Sequence, residues 1–465
     1  MKKLLSNLLG TGLLLSLVGC AYFSHPVMPK VNPPSTWNNA ESTNDLMSAE
    51  SLAHLQWWQQ FHDIALNQLV ERAIQQNSDV LIAMANLNNA QAQLKQVQLS
   101  WIPTLPLLLG YSDMPTLGSP GYFVGVFPSY TLNIFGQIKA QEQANAQVEI
   151  SKESLNGVKL SVIGQTVNAY FTWLSQERQL QLSEDLLKIY EERLNSYRQQ
   201  FSLGLADAKT VSNADSDVMQ TMGQIETIKN NLLVSQNSLR YLINQNPGSL
   251  TTKNSFAQLS IESIVPGTLP MTVLANRPDV SAAMKQLAAS DAGIGKVISN
   301  LLPTIQLDTL LAKNAPAANQ ISNPSNLSMG DAYATIPLLN AQIFGQIQAS
   351  KALYSKDYYV YEQTVRKALR DVENDLVANQ LYSSRYQHFS QANLSLEQGC
   401  SNDLSQFQNG LSNLTTVLEC QVGVTQAQIA LTQTKLDTLL VRVSLYQDLG
   451  GGYAASANND QAHTK

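Results

Sequence analysis

From Tyr122 to Phe135 the side chains alternate in character. Tyr122, Val124, Val126, Tyr130, Leu132 and Ile134 fall on one side, and Phe123, Gly125, Phe127, Ser129, Thr131 and Asn133 on the other. One face is apolar and aromatic while the other is small and partly polar, which is the period of a barrel strand with lipid outside and a lumen inside. Ile102 to Tyr111 supplies a partner strand across the turn region Gly118–Gly121. A second pair is predicted at Thr304 to Leu311 and Met329 to Leu338, separated by the Asn- and Pro-rich stretch Asn314 to Asn326. Alternation alone also fits soluble hairpins capping a helical bundle. Four strands are too few to close a barrel and open edges cannot sit in lipid, so a membrane reading needs three copies and twelve strands.

Elsewhere the period changes to that of a helix. Leu155, Val158, Val162, Tyr170 and Leu174 recur at helical spacing, as do Leu182, Leu186, Ile189 and Tyr190. No proline occurs between Ser129 and Asn246, or from Leu338 to the C-terminus. Proline costs about 3 kcal/mol inside a helix, so these stretches permit very long ones. A helix from Gln137 to about Gln200 would be on the order of 95 Å long, too long for a compact globule and suited to side-by-side coiled-coil packing. Gly204 and Gly410 mark the turns at which each long helix ends and the chain reverses.

The pattern occurs twice. Asn77-Ser78-Asp79-Val80 with Ala83, Leu87, Ala92 and Pro103-Thr104 returns 200 positions later as Arg277-Pro278-Asp279-Val280 with Ala283, Leu287, Ala292 and Pro303-Thr304. Phe135-Gly136-Gln137-Ile138 returns as Phe344-Gly345-Gln346-Ile347, and Phe201, Gly204-Leu205 and Thr210-Val211 as Phe407, Gly410-Leu411 and Thr416-Val417. Ordered matches over such a span indicate duplication. The expected organisation is a signal segment at 1–19, a tether at 20–60, repeat 1 at 61–260, repeat 2 at 261–453 and a tail at 454–465. Strands are expected at about 102–135 and 304–338, and long helices at about 137–246 and 345–448.

Composition narrows the function classes. Charged residues make up only 14% of the chain, against roughly 25% in an average soluble domain, and the net charge is −6, which argues against a nucleic-acid binder. Met1-Lys2-Lys3, the apolar stretch Leu4 to Val18 and the ending Leu17-Val18-Gly19-Cys20 have the layout of an export signal and resemble a bacterial lipobox. On that resemblance Cys20 is lipidated and becomes the new N-terminus, and Ala21 after it directs the protein to the outer membrane; the other reading is an ordinary signal peptide with a chance cysteine. Residues 21 to about 50, rich in Pro, Asn and Ser, read as an extended tether.

Catalytic chemistry is not legible. The five histidines (His25, His54, His62, His388, His463) are scattered, and there is neither a GxSxG elbow nor a GxxxxGK[ST] phosphate loop. Asp371, Glu373 and Asp375, near Arg366, Lys367 and Arg370, read as a solvated charged helix face rather than a metal site. Cys400 and Cys420 each lie ten residues from Gly410, so pairing is conceivable, but free packed thiols are the expectation.

Several segments resemble the outer-membrane efflux factor family, the TolC-like channel-tunnels, and in particular its OprM-like lipoprotein branch. They are Trp57-Trp58 with Phe61 and Asp63-Ile64-Ala65-Leu66; Asn77, Asp79 and Ala83; Trp101-Ile102-Pro103; Asn276-Arg277-Pro278-Asp279-Val280 with Ala292, Ile294-Gly295 and Pro303; and Leu445 to Tyr453. The similarity runs from Cys20 to Tyr453. It implies a mainly α fold with a small transmembrane β part: a long antiparallel helical tunnel, four strands per protomer in a trimeric 12-stranded β-barrel, and two tandem repeats. It further implies a homotrimer in outer-membrane lipid that extends into the periplasm and docks a periplasmic adaptor (membrane fusion protein) and an inner-membrane pump. Such a protein is a passive conduit for drugs or other solutes, not an enzyme, with no cofactor beyond the lipid on Cys20. The alternative class is a periplasmic coiled-coil adaptor lipoprotein.

Two departures from the family pattern stand out. The acid usual before the Phe of the first repeat's Phe-Gly segment is absent, Asn133 lying nearby. At the tip, the Leu, Asp and Arg of the OprM-like pattern correspond to Thr415, Glu419 and Val422. These three are the expected periplasmic gate positions, with Glu419 able to form an acidic ring in a trimer.

Overall fold

In a computed structural model, the chain is described over residues 32–37, 49–112, 121–252, 254–261, 270–317, 320–337 and 340–454. Cys20, the signal segment and nearly all of the C-terminal tail lie outside the described residues. In chain order the elements are α1 (Ala49–His54), a short 3-10 turn (Trp57–Phe61), α2 (Ile64–Gln76), α3 (Ser78–Leu99), β1 (Leu107–Ser112), β2 (Gly121–Val126), β3 (Ser129–Leu132), α4 (Ile134–Ser202) and α5 (Ala208–Leu242). The second half repeats this order: α6 (Pro270–Asn276), α7 (Pro278–Ile298), β4 (Thr304–Ala315), β5 (Ser325–Thr335), α8 (Gln342–Gln408) and α9 (Leu414–Asp448).

The two longest helices, α4 and α8, have 69 and 67 residues, about 100 Å each at 1.5 Å per residue. Their ends follow one local code. After α4, Gly204 takes φ +71° while its N–H bonds Phe201 O and the Leu205 N–H bonds Gln200 O. After α8, Gly410 takes φ +74° with the equivalent bonds to Phe407 O and Gln406 O. This is the left-handed turn that satisfies the last carbonyls of a helix, and glycine adopts it without steric cost. Asp207 then caps α5 and Asn413 caps α9, each accepting from the backbone N–H and the hydroxyl of a threonine three residues on. The chain therefore reverses in five residues, and each half ends in an antiparallel helical hairpin.

At mid-length the helices share a core. Ile163, Val167, Tyr170, Phe171, Trp173 and Leu174 of α4 pack with Leu239 of α5, Leu436, Leu439, Val443 and Tyr446 of α9, and Trp57, Trp58 and Phe61 from the N-terminal side. Trp57 stacks on Tyr446 at 5.0 Å and donates to Gly451 O at 3.2 Å. Asp63 caps α2, accepting from Leu66 N at 3.0 Å, and also accepts from the Tyr170 hydroxyl at 2.7 Å. Lys435 donates to the carbonyls of Phe256 and Ala257, both at 3.0 Å, and fastens the segment between the two halves onto α9. Burial lowers the pKa of that lysine to about 8.

Each half also ties the start of its shorter helix to the end of its returning helix. Asn77, capping α3, donates to Leu242 O at 2.9 Å. Arg277, at the equivalent place before α7, donates to the Asp448 carbonyl and carboxylate, both at 3.0 Å, and to Asp279. The same junction is therefore neutral in one half and ionic in the other.

The structure corrects three expectations. The tether, expected to be extended from 21 to about 50, is packed down at Trp37, which lies against Val273, Val372, Leu445 and Leu449, and beyond it Leu52, Trp57 and Trp58 are buried. Large apolar side chains at these positions gain more from the core than from water. The acidic trio is not a uniformly solvated face either. Asp371 pairs with Arg370, but Asp375 is half-buried, and burial followed by the neighbouring Asp448 carboxylate pushes its pKa up to about 7. No group of three His, Cys, Asp or Glu among the described residues could hold a metal ion. Finally, Cys400 and Cys420 are not free thiols but a disulfide, with Cα atoms 5.2 Å apart. Two positions equidistant from a tight turn sit level across an antiparallel pair, within the range a disulfide spans.

Two predictions test these corrections. Without reductant, a chymotryptic cut in the turn between α8 and α9, at Leu411, should leave two fragments that migrate together; thiol should separate them. Asp375 holds its proton more tightly folded than unfolded, so its contribution to stability is present in acid and lost as pH rises from the ordinary carboxylate range through about 7. Asp375→Asn should leave the melting temperature near pH 4 unchanged and raise stability at pH 8 by on the order of 1–2 kcal/mol, read as a flatter pH dependence.

Candidate pore-forming sheet and helix-turn tip

The strands make one antiparallel sheet. β1 pairs with β2, β2 and β3 both pair with β4, and β4 pairs with β5. β2 and β3 hold the same register on β4, from Tyr122↔Ala315 to Leu132↔Ile305, so they are one strand interrupted where Pro128 offers no N–H. The gap is bridged by Thr309 N–H donating to Pro128 O at 2.9 Å. The first strand is shorter than expected: regular pairing starts at Leu107, and Thr104 joins only by an isolated bridge to Ser129. β4 runs further than expected, reaching Ala315, and β5 is shifted toward the turn, starting at Ser325 and ending at Thr335.

Cross-strand partners share a face, so the register sorts every side chain. Leu107, Leu109 and Tyr111, with Tyr122, Val124, Val126, Tyr130 and Leu132, and with Ile305, Leu307 and Leu311, form one apolar face. Ser129, Thr131, Gln306, Asp308, Asn314 and Asp331 lie on the other. There the Ser129 hydroxyl donates to Asp308 at 2.7 Å and the Gln306 amide donates to it at 3.1 Å. Leu107, Leu109, Tyr111, Val124 and Leu311 on the apolar face are 49 to 70% exposed, a contiguous patch that a water-soluble surface rarely carries. β4 has 12 residues, about 40 Å, enough to cross a hydrocarbon core at a barrel strand's tilt. No described helix is long and apolar enough to cross a membrane. β1 and β5 are the sheet's edges, and among the described residues neither outer edge has a partner strand.

Asn133 has a role of its own at the junction below the sheet. Its side chain caps α4, accepting from Gly136 N at 2.9 Å. Gly136 is confined, since a Cβ there would lie 2.7 Å from both Asn133 Nδ2 and Ser299 Oγ.

At the far end, the three tip residues fall on one side of α9, facing the first hairpin. Thr415 accepts from Gln200 Nε2 at 3.2 Å, and exposed Glu419 accepts from the Tyr197 hydroxyl at 3.2 Å. Burial, and behind it the Glu419 charge, raises the Tyr197 pKa, so the hydroxyl remains a donor. Val422 is only 8% exposed and packs among Leu186, Tyr190, Leu194, Ala214 and Val218. Gln200 and Tyr197 escaped the sequence reading because they belong to α4, more than 200 residues away along the chain. Arg193 supplies a nearby cation, but it pairs with Asp217 of α5 and stacks over Tyr190 at 4.6 Å. The disulfide sits on the same hairpin, where Leu194 and Ala214 hold the equivalent places in the first half as a packed apolar pair.

The model of the outer membrane efflux protein family matches residues 69–245 and 269–451, once in each half. TtgC of Pseudomonas putida, a probable efflux pump outer membrane protein, is 27% identical over 475 residues, covering 97% of this chain and 96% of that protein. The solvent efflux pump outer membrane protein SrpC of Pseudomonas putida is 27% identical over 464 residues, covering 96% of this chain and 98% of that protein. Among solved structures, the open-state Neisseria gonorrhoeae MtrE outer membrane channel superposes with a TM-score of 0.81 at 22% identity, over 93% of this chain and 98% of that one. The Campylobacter jejuni CmeC outer membrane channel does so at 0.78 and 19% identity, over 94% and 97%. The relatives are named as outer membrane proteins of efflux pumps and the solved structures as outer membrane channels, not as periplasmic adaptors. A chain with this fold and a family match in both halves belongs to the outer membrane efflux protein family and serves as an outer-membrane efflux channel extending into the periplasm.

Proposed function

We propose that three copies of this chain join edge to edge, β1 of one beside β5 of the next, to form a twelve-stranded barrel continued by a helical tunnel. The observation that carries this reading is the sheet: one face mostly apolar and exposed, the other mixed and partly polar, and, among the described residues, no partner strand on either outer edge. Each unpaired backbone group left in hydrocarbon costs several kcal/mol, so the sheet is complete only when neighbours close it. The lipid on Cys20 anchors the same assembly, because the lipobox ends in that cysteine. A periplasmic adaptor and an inner-membrane pump complete the export path, as the pump names of the relatives suggest. Those relatives are named for toluene, solvents, antibiotics and pyoverdine export. Such unlike cargoes through similar channels favour selection by the pump, with this chain as a passive duct.

Thr415, Glu419 and Val422 serve as the gate of this duct. The bonds Tyr197–Glu419 and Gln200–Thr415, with Val422 in its apolar socket, hold the second hairpin against the first at the tip. Opening then requires these contacts to part.

The purified, lipidated protein should run as a trimer in detergent and conduct in a planar bilayer; a silent monomer would refute the barrel. Glu419→Ala should raise resting conductance severalfold by removing the acceptor of Tyr197, and Tyr197→Phe should act in the same direction. Conductance equal to the parent's for both variants would remove Glu419 from the gate.

A further inference from the structure

Lys313 is the one lysine or arginine in the described strands, and it stands on the apolar face. The register sets it directly opposite Val124, with Tyr122 two positions along on the same side and Tyr111 opposite Tyr122. The Tyr111 and Tyr122 rings meet edge to face at 5.2 Å. α4 leaves the sheet after Leu132, and α7 enters it before Thr304, so the helices join at one end and Lys313 lies near the other. No ion pair to Lys313 is present among the described residues, and its side chain is exposed. Beside it is a cavity of about 410 Å³, lined by Leu109, Tyr111, Tyr122, Val124 and Lys313, and by Ile321 from the β4–β5 connection.

Depth explains why a cation is tolerated there. Lysine on a barrel's lipid face costs about 2–4 kcal/mol at mid-bilayer and about 0–1 near an interface. Tyr122 and Tyr130 are eight residues apart on the same face, about 26 Å along the strand at 3.3 Å per residue and about 20 Å of height at a barrel strand's tilt, most of the roughly 25 Å apolar band between aromatic girdles. Tyr130 marks the helix-side interface, where Lys95, Ser100 and Thr104 line a cavity with it. Lys313 with Tyr111 and Tyr122 therefore marks the opposite interface. In a channel whose helices extend into the periplasm, that is the outer leaflet, which in Gram-negative cells carries a phosphorylated, multiply acylated glycolipid.

We propose that this cavity is a binding site for that glycolipid: the Lys313 ammonium pairs with a lipid phosphate, the tyrosines flank the sugar, and Leu109, Val124 and Ile321 receive the start of an acyl chain. Charge complementarity selects the occupant, since zwitterionic lipid offers no net negative charge and free phosphate leaves the apolar wall uncovered. The site rests on the barrel reading, which sets this face against lipid.

The test uses the full-length trimer in detergent, stripped of native lipid and titrated with bis-phosphorylated hexa-acyl lipid A, bound lipid being counted by native mass spectrometry. Lys313→Gln should weaken binding about tenfold, a typical loss for one charge-assisted contact, while Lys313→Arg stays within about threefold of the parent. Dephosphorylated lipid A should bind the parent as weakly as the phosphorylated lipid binds Lys313→Gln. Equal binding by parent and Lys313→Gln, equal binding of the two lipids, or displacement of lipid A by millimolar inorganic phosphate would each overturn the site. A monomeric or non-conducting parent fails the barrel reading; a conducting trimer that does not discriminate between the lipids fails this inference alone.

Discussion

The controlling constraint is the open edge of a small sheet. The four-stranded sheet, its second strand split at Pro128, satisfies its inner ladders through β2, β3, β4 and β5, and among the described residues no strand pairs with the outer edge of β1 or β5. In water such an edge is an aggregation hazard; in hydrocarbon it is not viable. The exposed leucines, isoleucines and tyrosines of the apolar face form a surface suited to lipid rather than to water. In the proposed trimer, neighbouring chains would complete the backbone hydrogen bonding of each sheet rather than add to an already finished fold.

The helical part obeys a different economy. α4 and α8 are too long to be buried in a globule, and their apolar residues spread among several packing partners instead of forming one deep core. The mid-length cluster of Trp57, Tyr170, Trp173 and Tyr446 fixes the register of the bundle, and Lys435 and Asp63 lock the connecting segments against it. Toward the tip the packing thins, and the contacts between hairpins reduce to a few polar bonds and one apolar socket. A region held this lightly is suited to motion.

The two halves share a backbone plan yet use different chemistry at equivalent places. Asn77 and Arg277 make the same junction with a neutral and an ionic side chain. Leu194 and Ala214 pack where Cys400 and Cys420 are covalently joined. The second hairpin is thus braced internally, so its two helices are joined near the tip in a way that those of the first are not.

Much of this was legible along the chain, because it rests on local rules. Proline placement and helical spacing announced α4 and α8, Gly204 and Gly410 announced the turns through their left-handed geometry, and alternation from Tyr122 to Leu132 assigned the two faces of that strand correctly. Other features depended on contacts between residues far apart in sequence, which no local pattern encodes. The burial of Trp37, Trp57 and Trp58, the raised pKa of Asp375 beside Asp448, the Tyr197 and Gln200 partners of the tip and the level of Cys400 with Cys420 all arise only once the hairpins are laid together. Periodicity determines which face a residue occupies, because that depends on backbone geometry alone; what the face meets depends on the register between elements, and only the tertiary structure decides that.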